Sequence, residues 1–170
     1  NENIVDSVLI PNDITNTISM GRIPDGNGNW CYFKNPSPDI INNQNSCYQG
    51  ITDPPNSDLN SGWYQSTVQI NINSAPNTTT HYTTNGDIPD TNDNTVNGTI
   101  IINSSSVLSL RSFNNDNQML PSCNLDYTFI INEENHNLPV FSIITDHNNL
   151  WDWNSGIYVS GPNADTSYPY

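Results

Sequence analysis

Apolar residues in this chain recur at every second position in short runs, and almost nowhere at the spacing of an amphipathic helix. Val68, Ile70 and Ile72 alternate with Gln69 and Asn71, which predicts a half-buried strand. His81-Tyr82-Thr83-Thr84 predicts a second, closed by an Asn85-Gly86 turn of the type I′ geometry that hairpins favour. Thr99 to Ile102 predicts a third. Leu108, Leu110 and Ser112 mark one face of a fourth, with Arg111 on the other. Leu125, Tyr127, Phe129 and Ile131 mark one face of a fifth, with Asp126 and Thr128 opposite. Clusters of Asn, Gly, Pro and Asp separate these runs, so residues 61–132 read as one compact β-sandwich.

The flanks are also β-patterned. Ile4 to Ile10, Thr17 to Met20 and Trp30 to Phe33 read as short strands, with a turn at Asp25-Gly26-Asn27-Gly28. Three such strands bury too little to stand alone. Residues 46–60, rich in Pro, Asn and Ser and containing Pro54-Pro55, read as a linker. Further on, Pro139 suits the first position of a strand, and Val140 to Ile144 reads as a buried one. Asp146 is placed to cap a helical turn through Asn149-Leu150-Trp151, ended by Ser155-Gly156, with Ile157 to Val159 as a return strand.

Composition restricts the function classes. There are 17 acidic residues against three fixed cations, Arg22, Lys34 and Arg111, for a net charge of -14. Phosphate backbones need clustered Lys or Arg, so nucleic acid is excluded as a partner, as are anionic membrane surfaces. No apolar run is long enough to insert in a membrane. Polarity comes instead from amides and hydroxyls, with 31 Asn among 170 residues. Such a composition alone reads as disorder, and the strand patterning with four Trp and eight Tyr argues for a fold. The chain opens without Met or a basic, apolar leader, which reads as a processed or partial product. Few Lys and many Asn and Thr suit an exported bacterial protein, secreted or at the outer cell surface. A disulfide between Cys31 and Cys47 is compatible with export; the alternative is that these and Cys123 are three small buried side chains.

Three stretches carry family resemblances. Asp6-Ser7-Val8, then Ser19 through Gly26, then Trp30 and Asn35-Pro36-Ser37-Pro38 resemble the last third of a lamin-tail domain, an immunoglobulin-like β-fold of bacterial secreted proteins. That family has Thr-Pro-Gly where this chain has Ser37-Pro38-Asp39. His81 to Asp90 (HYTTNGDIPD), with the strands VLSLRSF and DYTFII, resembles the chitobiase/β-hexosaminidase C-terminal domain, a small immunoglobulin- or fibronectin-like accessory module. Leu138 to Val159 (LPVFSIITDHNNLWDWNSGIYV) resembles the opening segment of the CotH-type protein kinase fold. Together these imply an all-β chain: an immunoglobulin/fibronectin-like β-sandwich flanked by partial domains. The pieces would be a lamin-tail end over 1–45, a linker over 46–60, the sandwich over 61–132 and a kinase-like start over 138–170. None of the kinase family's catalytic positions maps onto these residues, so the expected role is a non-catalytic spacer of a cell-surface protein. The alternatives are an accessory part of a secreted kinase, or a module that binds glycans or partners or forms fibres. Expected partners are the remaining domains of the parent chain or other copies of it, with Phe141, Ile143 and Trp151 exposed or covered from outside the chain.

Few residues invite chemistry. No Gly-rich phosphate loop or nucleophile elbow is present, and catalytic residues are expected to be none. Asp146 and Asp152 could bind metal, but read more simply as the cap and the exposed end of one turn. No cofactor is required; calcium is the one candidate, through Asp90, Asn92 and Asp93, whose oxygens alternate along a loop that reads equally as a solvated turn. The Asp25 loop lacks the distal Glu and flanking helices of a calcium loop. Trp63, Tyr64 and Trp153 are candidates for stacking on a sugar, against the alternative of packing. Ser7, in Asp6-Ser7-Val8, resembles the O-glycosylation motif of bacteria with type IX secretion, and Asn77, Asn97 and Asn103 sit in N-x-[ST] triplets.

Overall fold

The computed structural model describes residues 7–10, 18–42, 47–134 and 139–162. Ten strands and one short helix follow in order: β1 (Ser19–Ile23), β2 (Asn29–Phe33), β3 (Asn56–Ser57), β4 (Gly62–Tyr64), β5 (Val68–Asn73), β6 (Thr78–Thr83), β7 (Asn94–Thr95), β8 (Thr99–Ile102), β9 (Ser106–Asn114), β10 (Leu125–Ile131) and α1 (His147–Trp151). The chain is therefore nearly all β.

Eight of the strands build a sandwich. One sheet has the order β3-β5-β8 and the other β4-β10-β9-β6-β7. All pairings are antiparallel except β4 with β10, which is parallel. The first stretch of the sandwich is thus shared, β3 lining one sheet and β4 closing the edge of the other beside the last strand. This is a two-sheet β-sandwich. The alternation read from the sequence decides what lies between the sheets. Ile70, Ile72, Ile100 and Ile102 point in from one sheet and Leu108, Leu110, Phe129 and Ile131 from the other. Ring contacts of Phe129 with Tyr64 (5.6 Å between centroids) and Tyr127 (6.5 Å) extend this core.

At the β6 end, the expected type I′ hairpin does not form. Gly86 has a positive φ of 88° and Asn85 does not, whereas that turn needs both. Asn85 instead hydrogen-bonds Asp87 and bridges to Val107 in parallel register, and the chain runs on past the buried Pro89 to β7.

The N-terminal hairpin β1–β2 pairs Ser19 with Phe33 through to Ile23 with Asn29. Its Asp25–Gly28 turn is as expected, and Gly28 is required there: a Cβ would lie 1.8 Å from the Ile23 carbonyl oxygen. Residues 1–6 of the first expected strand, and Thr17 of the next, lie outside the described residues; 7–10 form no strand.

Residues 46–60 are not a free linker. Over the described part, 47–60, they are hydrogen-bonded on both sides. Tyr48 exchanges two backbone hydrogen bonds of 2.9 Å with Tyr32 of β2. Gln49 N donates to the Gln118 carbonyl, Leu120 N to the Gly50 carbonyl, and Thr52 N to the Leu120 carbonyl, all at 2.8–2.9 Å. The buried Thr52 hydroxyl adds a 2.7 Å bond to the same Leu120 carbonyl. A disulfide between Cys31 and Cys47 joins the start of this strap to β2.

The C-terminal segment departs from expectation in the opposite sense. Val140–Ile144 and Ile157–Val159 form no strands. Ser142 is held by a 2.6 Å hydroxyl contact with Thr128 rather than by a ladder. Ile157 N and Tyr158 N donate to the Asn149 and Leu150 carbonyls, so they satisfy the end of α1 instead of a sheet. The expected cap is present: the Asp146 carboxylate accepts from Asn148 N at 2.8 Å.

Two measurements check this description. Phe129→Ala should cost ~3–5 kcal/mol in chemical denaturation, because a fully buried ring is removed from between the sheets. Replacing Cys31 and Cys47 together by Ser should instead raise hydrogen exchange at the Tyr32 and Tyr48 amides while leaving the amides of β9 and β10 protected.

Candidate functional site

The aromatic candidates do not form one platform. Trp63 and Tyr64 are neighbours on β4, and successive side chains of a strand leave opposite faces. Tyr64 turns inward onto Phe129, and its hydroxyl donates to the Asn60 carbonyl at 2.7 Å. Trp63 turns outward and lines an open groove with Ser61, Thr128, Ile130, Val140 and Ser142. Trp153 lies after α1 in the C-terminal segment, 58% exposed, and does not line that groove.

In the Asp90–Asp93 loop the carboxylates bind the loop's own backbone. Asp90 Oδ1 accepts from Asn92 N at 2.7 Å and Asp93 Oδ2 from Asp90 N at 2.8 Å. Buried His81 fixes the loop from below: its Nδ1 lies 2.9 Å from the Asp93 carbonyl, which can only accept, so Nδ1 carries the proton. The ring also meets Phe113 edge-on at 5.3 Å. The Asp25 carboxylate instead accepts from Asn42 N, outside its own turn. Ser7 is exposed. Asn77 has a φ of 57° in the β5–β6 turn and donates to Asp116.

Two further features stand out. The first is a set of exposed apolar side chains on the C-terminal segment, where Phe141, Ile143 and Trp151 are exposed as expected from the sequence. Phe141 is 88% exposed and Ile143 83%, and Ile157 and Tyr158 are also exposed. The segment nonetheless has internal order. Trp151 and Tyr158 pack ring on ring at 5.4 Å, and the Asp152 carboxylate accepts from Asn154 N, Ser155 N and the Ser155 hydroxyl. Those hydrogen bonds, the Ser155 hydroxyl's foremost, hold the Asp152 carboxyl below its ordinary pKa.

The second is a groove of about 230 Å³ between hairpin and sandwich. Ile18, Ile51, Ile88, Leu120 and Pro121 form its apolar wall, and Lys34 and Arg111 lie on it with no carboxylate in the lining. A smaller hollow that shares Lys34, Leu120 and Pro121 continues it toward Phe113. Arg111 leaves β9 on the face opposite Leu110 and is fixed twice: Nε donates to the Ser122 carbonyl at 3.1 Å, and the guanidinium lies 5.5 Å from the Phe113 ring. Burial lowers its pKa, countered in part by the neighbouring Cys123. The Cys123 thiol is free and exposed on the same wall. Lys34 follows β2 and Arg111 lies in β9, and the strap at 48–52 hydrogen-bonds to both sides and helps bring them together.

Comparison with known protein families, curated proteins and solved structures finds no match to the chain.

The turn after α1 should depend on pH. A depressed carboxyl pKa gives stabilisation that is present above the unfolded aspartate value and is lost as pH falls through the lower, folded one. NMR titration should therefore show Asp152 titrating below exposed aspartates, with the Trp151–Tyr158 contact loosening over the same range. Asp152→Ala should loosen that contact already at neutral pH.

Proposed function

We propose that the chain is a non-catalytic spacer region of an exported, multidomain bacterial surface protein, in which the sandwich carries a further domain at its C-terminal side. The observation that supports this most directly is the exposed apolar face of residues 140–158, internally ordered yet uncovered. Solitary exposed apolar residues are ordinary, but a run that includes Val140, Phe141, Ile143, Trp151, Trp153, Ile157 and Tyr158 is what a domain boundary presents when its partner surface is supplied by other residues. In the same reading the strapped hairpin is the end of a lamin-tail-like domain, the sandwich is chitobiase-C-like, and 138–170 opens a CotH-kinase-like domain. The kinase reading belongs to the parent: any phosphoryl transfer would be done by residues outside this chain.

A second reading, glycan recognition, draws on the groove beside Trp63, where an aromatic face meets the hydroxyls of Ser61, Thr128 and Ser142. It would involve Trp63 without Tyr64.

Hydroxyl-radical footprinting of this chain and of a longer parent protein separates these readings from a self-sufficient module. Phe141, Trp153, Ile157 and Tyr158 should be heavily oxidised in the chain alone and protected in the longer protein; equal oxidation in both would overturn the spacer reading. Phe141→Ser with Ile143→Ser should cut binding of an apolar dye while changing stability by less than ~0.5 kcal/mol, since neither side chain is packed.

A further inference from the structure

We propose that the groove between the β1–β2 hairpin and the sandwich binds a small aliphatic carboxylate, either a free acid or the end of a chain, with Arg111 and Lys34 holding the carboxylate and Ile51, Ile88 and Leu120 holding its apolar body. The inference begins with charge. This chain has 17 acidic residues and three fixed cations, and two of those three line one groove in whose lining no carboxylate lies among the described residues. Scattered charges on an acidic surface would be expected to pair with their surroundings. No ion pair with a carboxylate is present at Lys34 or Arg111 among the described residues, although Arg111 is surrounded by Ser122, Phe113 and the groove wall.

Arg111 is also prepared for such a ligand. A half-buried guanidinium without a counterion carries a desolvation cost that an incoming anion relieves. The Nε bond to Ser122 and the stacking on Phe113 fix the plane of the group, while the remaining donors of its fork carry no protein acceptor among the described residues. A carboxylate matches that fork, and exposed Lys34 can close on it from the hairpin side as a mobile point charge. The wall opposite is aliphatic, which disfavours inorganic anions and favours an acid with a branched apolar tail. A volume of about 230 Å³ accommodates a group the size of one amino-acid residue.

The test uses the full 170-residue chain with its Cys31–Cys47 disulfide intact. The probes are 4-methylpentanoate, the N-acetylated tripeptide Ala-Ala-Leu with a free carboxylate, and the same tripeptide as its C-terminal amide. Titration followed by amide NMR should show the two carboxylates moving the resonances of residues 120–124 and of Lys34, with Kd on the order of 1 mM. The amide should leave them in place. The tighter of the two carboxylates identifies a free acid or a chain end as the natural source. Lys34→Glu, an exposed substitution that leaves the core intact, should weaken both by at least about 5-fold. An independent readout is the thiol on the groove wall: Cys123 should react faster with iodoacetate relative to iodoacetamide in the parent than in Lys34→Glu, and 4-methylpentanoate should slow both reagents. Equal shifts from the amidated peptide, unchanged affinity in Lys34→Glu, or a reagent ratio indifferent to that substitution would each overturn the proposal.

Discussion

Everything in this molecule depends on the meeting of two small aliphatic rows. Ile70, Ile72, Ile100 and Ile102 come from a three-stranded sheet, and Leu108, Leu110, Phe129 and Ile131 from the five-stranded one. Eight side chains are few for a β-domain, and each large one contributes roughly 1.5–3 kcal/mol when fully buried. Buried hydroxyls elsewhere in the interior are hydrogen-bonded, whereas the buried Asn124 Oδ1 has no partner among the described residues. Thr80 and Ser112 share a buried hydroxyl contact at 2.9 Å, Ser74 reaches Thr80 at 2.7 Å, and Ser122 accepts from Ser112 N at 2.9 Å. A sandwich rich in Thr and Ser is therefore stable only with its register intact, because a slip of one residue would orphan these groups as well as exposing the aliphatic row.

From that core the rest follows by attachment. The β9–β10 connection presents the backbone groups of Gln118 and the buried Leu120 to the strap at 48–52; the strap in turn holds β2 through Tyr48 and the Cys31–Cys47 bridge. The hairpin thus borrows its stability from the sandwich. A two-stranded ribbon is marginal alone, and here only Cys31 and Phe33 of the hairpin are buried. The groove that holds Lys34 and Arg111 accompanies this docking: it is lined by Ile18 and Lys34 from the hairpin side, Ile51 from the strap and Arg111 and Leu120 from the sandwich.

Within the sandwich, β5, β8, β9 and β10 were legible because one buried face enforces a local period of two in each; β6 begins at Thr78, ahead of the expected His81, and the short β3, β4 and β7 carry no such pattern. Phe129 and Ile131 against Asp126 and Thr128 is such a pattern, and the structure follows it. Errors arose wherever the deciding partner is distant. Pro54-Pro55 suggested a spacer, but the residues before it are bound to Gln118 and Leu120, 68 or 69 positions away, through backbone groups that no side-chain pattern reveals. Val140 to Ile144 has a strand's composition and no edge to join, so hydrophobicity alone misassigned it. Trp63-Tyr64 looked like one aromatic platform although the same period of two divides it between the core and the surface. The cationic groove had no signal at all, because its two charged residues, far apart in sequence, meet only in the folded chain.

Both flanks lean on the same sheet, and this gives the sandwich two unlike sides. Arg111 and Phe113 project from the outer face of the five-stranded sheet toward the hairpin side, and Thr128 on that face meets Ser142 of the C-terminal segment. Ile144 reaches Gly86 at the far side of the same sheet. The three-stranded sheet turns Gln69, Asn71 and Thr99 outward together with the exposed Ile101, and this face carries no flank among the described residues. The N-terminal flank runs through the strap into β3 and the C-terminal flank leaves from β10, so tension between the flanks would enter the two sheets at β3 and at β10.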